Sequence, residues 1–282
     1  MTLFETLARA RARLTEAGIS EAEAVIDVDL YARTILGWDK ARLLTEMQAP
    51  APGALEPTLS HWTSRRIERE PSAYIVGYRE FWGMEFTVTP AVLIPRPETE
   101  QLIDEAIARA RPLPAPRIAD IGTGSGCIAI ALAVELPRAQ LVASDISEQA
   151  LVIARANAER HGVTGRVQFV ATSYLDGVKG SFDLITANPP YVKDRDKRGL
   201  SRDVLHEPDV ALFGGAEGLR DITGVLKAAS ATLAPDGWLM MEFGYGQEPE
   251  VEALVAAQAS LRLDRVQPDL QGIPRTAIIQ RR

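Results

Sequence analysis

The sequence predicts an α/β protein: a seven-stranded sheet with helices on both faces, preceded by a small helical bundle and a β-hairpin. Three observations carry that expectation. From residue 117 onward, short apolar runs of strand length alternate with helical periods, the pattern of a parallel sheet. Before residue 70 the apolar residues recur only at helical spacing. Between the two, residues 78–88 alternate bulky side chains around Gly83, as a hairpin does. Of the 282 residues 46% are hydrophobic and 24% charged, enough apolar material for a core and too much for wholesale disorder. At roughly 150 residues per domain, this length predicts about two domains.

Each element has a local reason. Leu3, Leu7 and Leu14 mark a first helix that Gly18 stops, and Ser20 with Glu23 forms a capping box for a second. Val25, Val28, Tyr31 (or Ala32) and Ile35 are its expected apolar stripe, ended by Gly37. A short helix over 40–46 precedes a Pro/Ala/Gly loop, and Pro57 opens another helix reaching to about residue 70. Residues 91–96 stay extended, and Pro97 starts a helix running to about 111. Strands are expected at 117–120, 140–144, 167–170, 182–187, 238–243, 262–265 and 276–280. Helices are expected at 127–136, 148–161, 221–234 and 249–258. The last two strands leave no room for a helix between them, so the sheet should finish antiparallel.

Composition narrows the function. The longest apolar run, 127–134, is eight residues, far short of a membrane span, and with Glu5, Arg9, Arg11 and Arg13 near the start no apolar signal segment is expected. The lone Cys127 forbids an intramolecular disulfide and fits a reducing, cytoplasmic setting. With only His61, His161 and His206 beside it, a metal site is not expected. The net charge of −7 argues against a protein that coats nucleic acid.

Three motifs carry chemistry. Asp120-Ile121-Gly122-Thr123-Gly124-Ser125-Gly126 lies between a strand and a helix, where glycines let backbone N–H groups approach a ligand. It lacks the Gly-Lys-Ser/Thr of a phosphate loop, and G-x-G-x-G is not the dinucleotide fingerprint. Asp145, at the end of the next strand, can accept both hydroxyls of a ribose, while Ser147 serves as the cap of the following helix. Asn188-Pro189-Pro190-Tyr191 follows the fourth strand of the sheet. Its two prolines remove donors and leave carbonyl oxygens, the Asn188 amide oxygen and an aromatic face together. Those acceptors suit a planar N–H₂ group, either an amide or the exocyclic amine of a base.

With these motifs the chain resembles a class I methyltransferase with a Rossmann-like domain. More specifically, the stretch Leu93-Ile94-Pro95-Arg96-Pro97-Glu98-Thr99-Glu100 resembles the linker of the HemK/PrmC family, the glutamine N5-methyltransferases of peptide chain release factors. His206-Glu207-Pro208, Ala211-Leu212-Phe213-Gly214-Gly215, Gly218-Leu219 and Glu242-Phe243-Gly244 with Gln247 are similar to later segments of that family. The resemblance implies S-adenosyl-L-methionine as cofactor, held by Gly122, Thr123, Gly124, Ser125, Gly126 and Asp145, with Asn188 beside it. It implies a catalytic loop of Asn188, Pro189, Pro190 and Tyr191. Where the family places an aromatic next to adenine, Thr172-Ser173-Tyr174 stands here, and Tyr174 can stack on a base. The implied substrate is the glutamine of the Gly-Gly-Gln motif of class-1 release factors, with residues 1–70 recognising that partner, 71–97 as a hairpin linker and 98–282 as the methyltransferase domain. Arg96 and Glu98 either shape the substrate opening or pair with each other.

Other readings have their own signals. An adenine-N6 methyltransferase of DNA or RNA should carry a basic strip, yet residues 1–80 hold ten Lys/Arg against twelve Asp/Glu, so no direct nucleic-acid binding is expected. A ribosomal-protein glutamine is a further substrate option. A non-catalytic S-adenosylmethionine-binding protein has no need of the Asn188–Tyr191 acceptors.

Overall fold

Two capping boxes start the chain. Thr2 caps α1 (Leu3–Glu16) with Glu5, and Ser20 caps α2 (Glu21–Leu36) with Glu23; Gly37 ends α2 in the left-handed region at φ 64°. In the computed structural model, which describes residues 1–282, these helices form one unit with α3 (Lys40–Thr45), α4 (Leu55–Ile67) and α5 (Ser72–Val76). That unit comprises Met1–Gly77 and also Ser201–His206, a segment far away in sequence. Its core gathers Leu3, Leu7, Leu14, Val28, Tyr31, Leu43, Leu55 and Leu59.

The buried stripe of α2 differs from the expected one. Ala24, Asp27, Val28, Tyr31 and Ala32 face inward, whereas Val25 is exposed and Ile35 only half-buried. The reason is an ion pair hidden from hydropathy: Arg66 Nε donates to Asp27 Oδ2 at 2.7 Å, and Ser72 Oγ donates to Asp27 Oδ1 at 2.6 Å. A buried carboxylate is tolerable when paired and hydrogen-bonded, so Asp27 joins Val28, Tyr31 and Ala32 on the buried face while Val25 stays outside it. Arg66 Nη1 also donates to Asp203 at 2.7 Å, which ties the 201–206 segment into this unit.

The second unit comprises Tyr78–Leu200 and Glu207–Arg282. It opens with the hairpin β1 (Tyr78–Phe81) and β2 (Met84–Thr87), whose tight turn puts Trp82 and Gly83 at positive φ. Phe81 and Phe86 are buried in the core of this unit, so the hairpin of the expected 71–97 linker packs here, whereas residues 71–77 form α5 and its end in the first unit. A single 3₁₀ turn, Pro97–Thr99, leads into α6 (Glu100–Ala110). Then come β3 (Arg117–Ile121), α7 (Cys127–Glu135), β4 (Gln140–Asp145), α8 (Glu148–Arg160), β5 (Val167–Ala171) and β6 (Phe182–Ala187). A 3₁₀ turn (Asp194–Gly199) and α9 (Asp209–Leu212) precede α10 (Arg220–Thr232), β7 (Leu233–Glu242), α11 (Glu248–Ala256), β8 (Leu261–Pro268) and β9 (Pro274–Arg281), while the 3₁₀ turn Val204–His206 belongs to the first unit.

The seven-stranded sheet runs β5-β4-β3-β6-β7-β9-β8, parallel until β9, which pairs antiparallel with both β7 and β8. That is the expected antiparallel finish. Alternation sorts the strands between two cores: Ile118, Leu184 and Met240 face one side with α6, α7 and α8, while Ala119, Ile185 and Leu239 face the other with α10 and α11. One boundary departs from expectation. β7 starts at Leu233 rather than near 238, because Leu233 pairs with Phe182 and takes the end of the expected helix into the sheet. No helix is long and apolar enough to cross a membrane.

Candidate active site

β3 lies between β4 and β6: the chain steps outward from β3 to β4 and β5, then crosses back to β6 on the other side, so loops diverge above the carboxyl ends of these strands. In open α/β sheets that crevice is where ligands bind. A cavity of about 400 Å³ lies there, lined by the loops after β3, β4, β5 and β6 and by residues 91–93, Pro95, Arg96 and Thr99. Pockets of roughly 300–1,000 Å³ suit small ligands.

The glycine loop is built by backbone. Gly122, Gly124 and Gly126 have φ of 71°, 55° and 83°, a region closed to most side chains. A Cβ on Gly122 or Gly124 would meet nothing within 4 Å, whereas on Gly126 it would come within 2.9 Å of Ile130 Cδ1 and 3.1 Å of Ala154 Cβ. The first two glycines thus leave room for a ligand, and the third lets α7 pack closely against α8. Beneath the loop, Asp120 is fully buried; it accepts from Thr123 Oγ1 at 2.6 Å and from its cross-strand neighbour Thr186 Oγ1 at 2.8 Å. Burial pushes its carboxyl up to about 6 despite those two hydroxyls. Cys127 is inert packing, its thiol raised to about 12 by burial.

Asp145 ends β4 and lines the cavity. Oδ2 accepts from the Gly124 N–H at 2.9 Å and Oδ1 from the Ser147 N–H at 2.8 Å. Each oxygen keeps a lone pair for a ligand hydroxyl. Burial raises its pKa while these amides oppose the rise. Ser147 caps α8 by accepting from the Ala150 N–H at 3.1 Å, which relieves Asp145 of that task. Tyr174 holds a positive φ of 51° and lines the cavity; its hydroxyl donates to Asp221 Oδ1 at 3.0 Å. Its ring sits on Gly224 of α10, where any Cβ would fall 2.0 Å from the tyrosine Cζ.

Across the cavity the Asn188 loop is held by side chains from distant segments. Asn188 Nδ2 donates to Thr99 Oγ1 at 3.2 Å, and Thr99 Oγ1 donates to Glu242 Oε2 at 2.6 Å. Tyr191 donates its hydroxyl to Glu242 Oε1 at 3.2 Å. Glu242 is buried at the end of β7, and burial raises its pKa against the pull of both hydroxyls. Gln247 closes the other edge: its Oε1 accepts from the Gly244 N–H at 2.8 Å, and its Nε2 donates to the carbonyls of Tyr191 at 3.1 Å and Gly218 at 3.2 Å. Glu207 accepts from the Ile94 N–H at 3.0 Å and from Arg96, so Arg96 pairs with Glu207 and not with Glu98.

A PrmC N-terminal domain model matches residues 5–77, and a Methyltransferase small domain model matches residues 100–217. A release factor glutamine methyltransferase from Bradyrhizobium diazoefficiens is 42% identical over 276 residues, spanning 94% of this chain and 90% of its own length. One from Moorella thermoacetica is 37% identical over 287 residues, spanning 100% of this chain and 99% of its own. The chain belongs to the release factor glutamine methyltransferase family. Solved structures agree on the fold: a methyltransferase from Pyrococcus furiosus matches with a TM-score of 0.54 at 18% identity, covering 79% of this chain and 98% of its own.

A family enzyme of this class takes its methyl group from S-adenosyl-L-methionine, and the crevice fits that molecule. It offers open space over Gly122 and Gly124, a paired-oxygen acceptor in Asp145 and a ring in Tyr174. The structure brings Gly122, Thr123, Gly124, Ser125, Asp145, Tyr174, Asn188, Pro189 and Pro190 to the cavity wall. Gly126 and Tyr191 stand behind it: Gly126 at the helix junction, and Tyr191 packed against the second core with its hydroxyl on Glu242. Sequence reasoning passed over Thr99, Glu242 and Gln247 as individual residues, although each lies in a segment that it quoted for resemblance.

Proposed function

We propose that this chain transfers the methyl group of S-adenosyl-L-methionine to the side-chain N5 of a glutamine, the one in the Gly-Gly-Gln motif of class-1 peptide chain release factors. The observation that carries this reading is the setting of Asn188. Its amide nitrogen is bound to Thr99, its Oδ1 takes no hydrogen bond from the protein, and the residue lines the cavity beside Pro189. Gly122–Ser125, Asp145 and Tyr174 would hold the cofactor. Bound there, S-adenosylmethionine would supply an activated methyl group, its sulfonium leaving as the neutral thioether of S-adenosylhomocysteine while the amide proton is lost to solvent.

The chain's own part is placement. An amide lone pair is delocalised into its carbonyl and makes a poor nucleophile. Asn188 Oδ1 and the Pro189 carbonyl accept the N–H bonds of the target amide and turn its nitrogen toward the methyl group. Prolines at 189 and 190 contribute no N–H to compete for those acceptors. Holding reacting atoms about 3–3.5 Å apart and aligned supplies much of the rate. We assign recognition of the protein partner to the N-terminal unit, which is acidic and holds none of the cavity residues, and we read the enzyme as cytoplasmic with no nucleic-acid substrate.

A radiolabelled-methyl assay offering release factor, ribosomes and DNA side by side tests the proposal. Label should enter release factor alone and vanish when the glutamine of its Gly-Gly-Gln motif is replaced. Label in DNA or in a ribosomal protein instead would overturn it.

A further inference from the structure

We infer that Thr99 is a positioning residue that sets which end of the Asn188 side-chain amide faces the substrate. The inference rests on the reading of Asn188 as an acceptor for the target amide. An asparagine amide has nearly the same shape either way round, so only its hydrogen bonds decide where oxygen and nitrogen point. Thr99 Oγ1 carries a single proton, and that proton goes to Glu242 Oε2 at 2.6 Å. Toward Asn188, 3.2 Å away, the hydroxyl therefore has only lone pairs to offer. A lone pair accepts an N–H and repels a carbonyl oxygen, so Nδ2 is drawn to Thr99 and Oδ1 is turned into the cavity.

Glu242 gives the chain of bonds its direction. Both of its oxygens act as acceptors, Oε2 from the Thr99 hydroxyl and Oε1 from the Tyr191 hydroxyl. The sequence Asn188 to Thr99 to Glu242 thus runs one way. Thr99 itself is fixed: it is buried, it ends the 3₁₀ turn begun by Pro97, and its β-branched side chain has few rotamers. Were the amide reversed, its N–H₂ would face the N–H₂ of the target glutamine, donor against donor. Thr99 thereby acts on the reaction through Asn188, which explains why a threonine in the stretch before α6 stands next to a loop 89 residues further along the chain.

The test compares Thr99→Val, Thr99→Ser, Glu242→Gln, Asn188→Ala and the Thr99→Val/Asn188→Ala pair in the full-length enzyme. Turnover on intact release factor and the S-adenosylmethionine dissociation constant are measured for each. Thr99→Val keeps the shape and loses the hydroxyl, so kcat should fall about tenfold or more while KM and cofactor affinity stay within about twofold. Thr99→Ser should restore most of the turnover. Glu242→Gln can donate to Thr99 and undo the direction, so it should lower kcat in the same way even if Thr99→Val folds poorly. In the Asn188→Ala background Thr99→Val should cost nothing further. Wild-type kcat in Thr99→Val and Glu242→Gln, with Asn188→Ala inactive, would overturn the role of Thr99 alone. An equal cost of Thr99→Val with and without Asn188 would overturn it too, as a merely structural effect. Full turnover in Asn188→Ala would instead overturn the reading of Asn188 on which the inference rests.

Discussion

The two walls of the cavity are made differently. The glycine-loop wall is assembled from neighbours in sequence: Gly122 to Gly126 turn the chain, and Asp145, one strand on, accepts amides from Gly124 and Ser147. The Asn188 wall is assembled from strangers. Thr99 precedes α6, Glu242 ends β7, Gln247 precedes α11, and together they hold a four-residue loop by side-chain hydrogen bonds. A wall made of backbone is suited to binding, since its donors and lone pairs have fixed places whatever the neighbouring side chains do. A wall made of converging side chains can aim one acceptor at one reacting atom. The difference teaches a division of labour between holding the cofactor and directing the nucleophile.

Breaking the aimed wall should give the largest effect. Asn188→Ala removes the acceptor proposed to face the target nitrogen, and loss of comparable preorganised groups costs about 10²–10³ in kcat; steady-state kinetics on release factor measures it. Next comes the carboxyl under the backbone wall. Asp120 titrates at about 6 in the fold and near 4 unfolded, so between those values the native state binds more protons and stability rises as pH falls. Relative to Asp120→Asn, the native protein should therefore gain about 2–3 kcal/mol in denaturant unfolding between pH above 6 and pH below 4. A flat difference would contradict the buried, charged Asp120.

Smaller effects sharpen the contrast. Gln247→Ala leaves the Gly244 N–H and the carbonyls of Tyr191 and Gly218 without their partner, a cost of about 2 kcal/mol, or roughly 4–8 °C in Tm by calorimetry. Its kcat should fall with little change in cofactor binding, since Gln247 supports only the aimed wall. Asp145→Ala should do the reverse. Losing two acceptors for ribose hydroxyls raises the S-adenosylmethionine dissociation constant about tenfold, on the order of 1.4 kcal/mol. An unchanged constant by titration calorimetry would remove Asp145 from the cofactor site.

The same contrast explains what the sequence made legible. The strand–glycine loop–helix unit, Asp145 and the Ser147 cap announce themselves within a few residues, because turn geometry and capping are local. The parallel sheet and its antiparallel end follow from alternation and from the missing helix between β8 and β9. Thr99, Glu242 and Gln247 could not be found that way, since a threonine's or glutamate's partner 50 to 140 residues away leaves no periodicity. The family resemblance marked their segments without saying what each side chain does. Asp27 was hidden for the same reason: its partner Arg66 lies on another helix, and hydropathy alone gave the stripe to Val25. Tyr191 was expected to offer its ring to the site, but Glu242 supplies a buried acceptor that draws its hydroxyl the other way.

Titration of S-adenosylmethionine into Asn188→Ala tests the division between the two walls most directly. The account predicts a dissociation constant within about twofold of the native enzyme, alongside the collapse of turnover on release factor. Cofactor affinity lost in step with turnover would contradict it, because Asn188 would then belong to the wall that holds the cofactor.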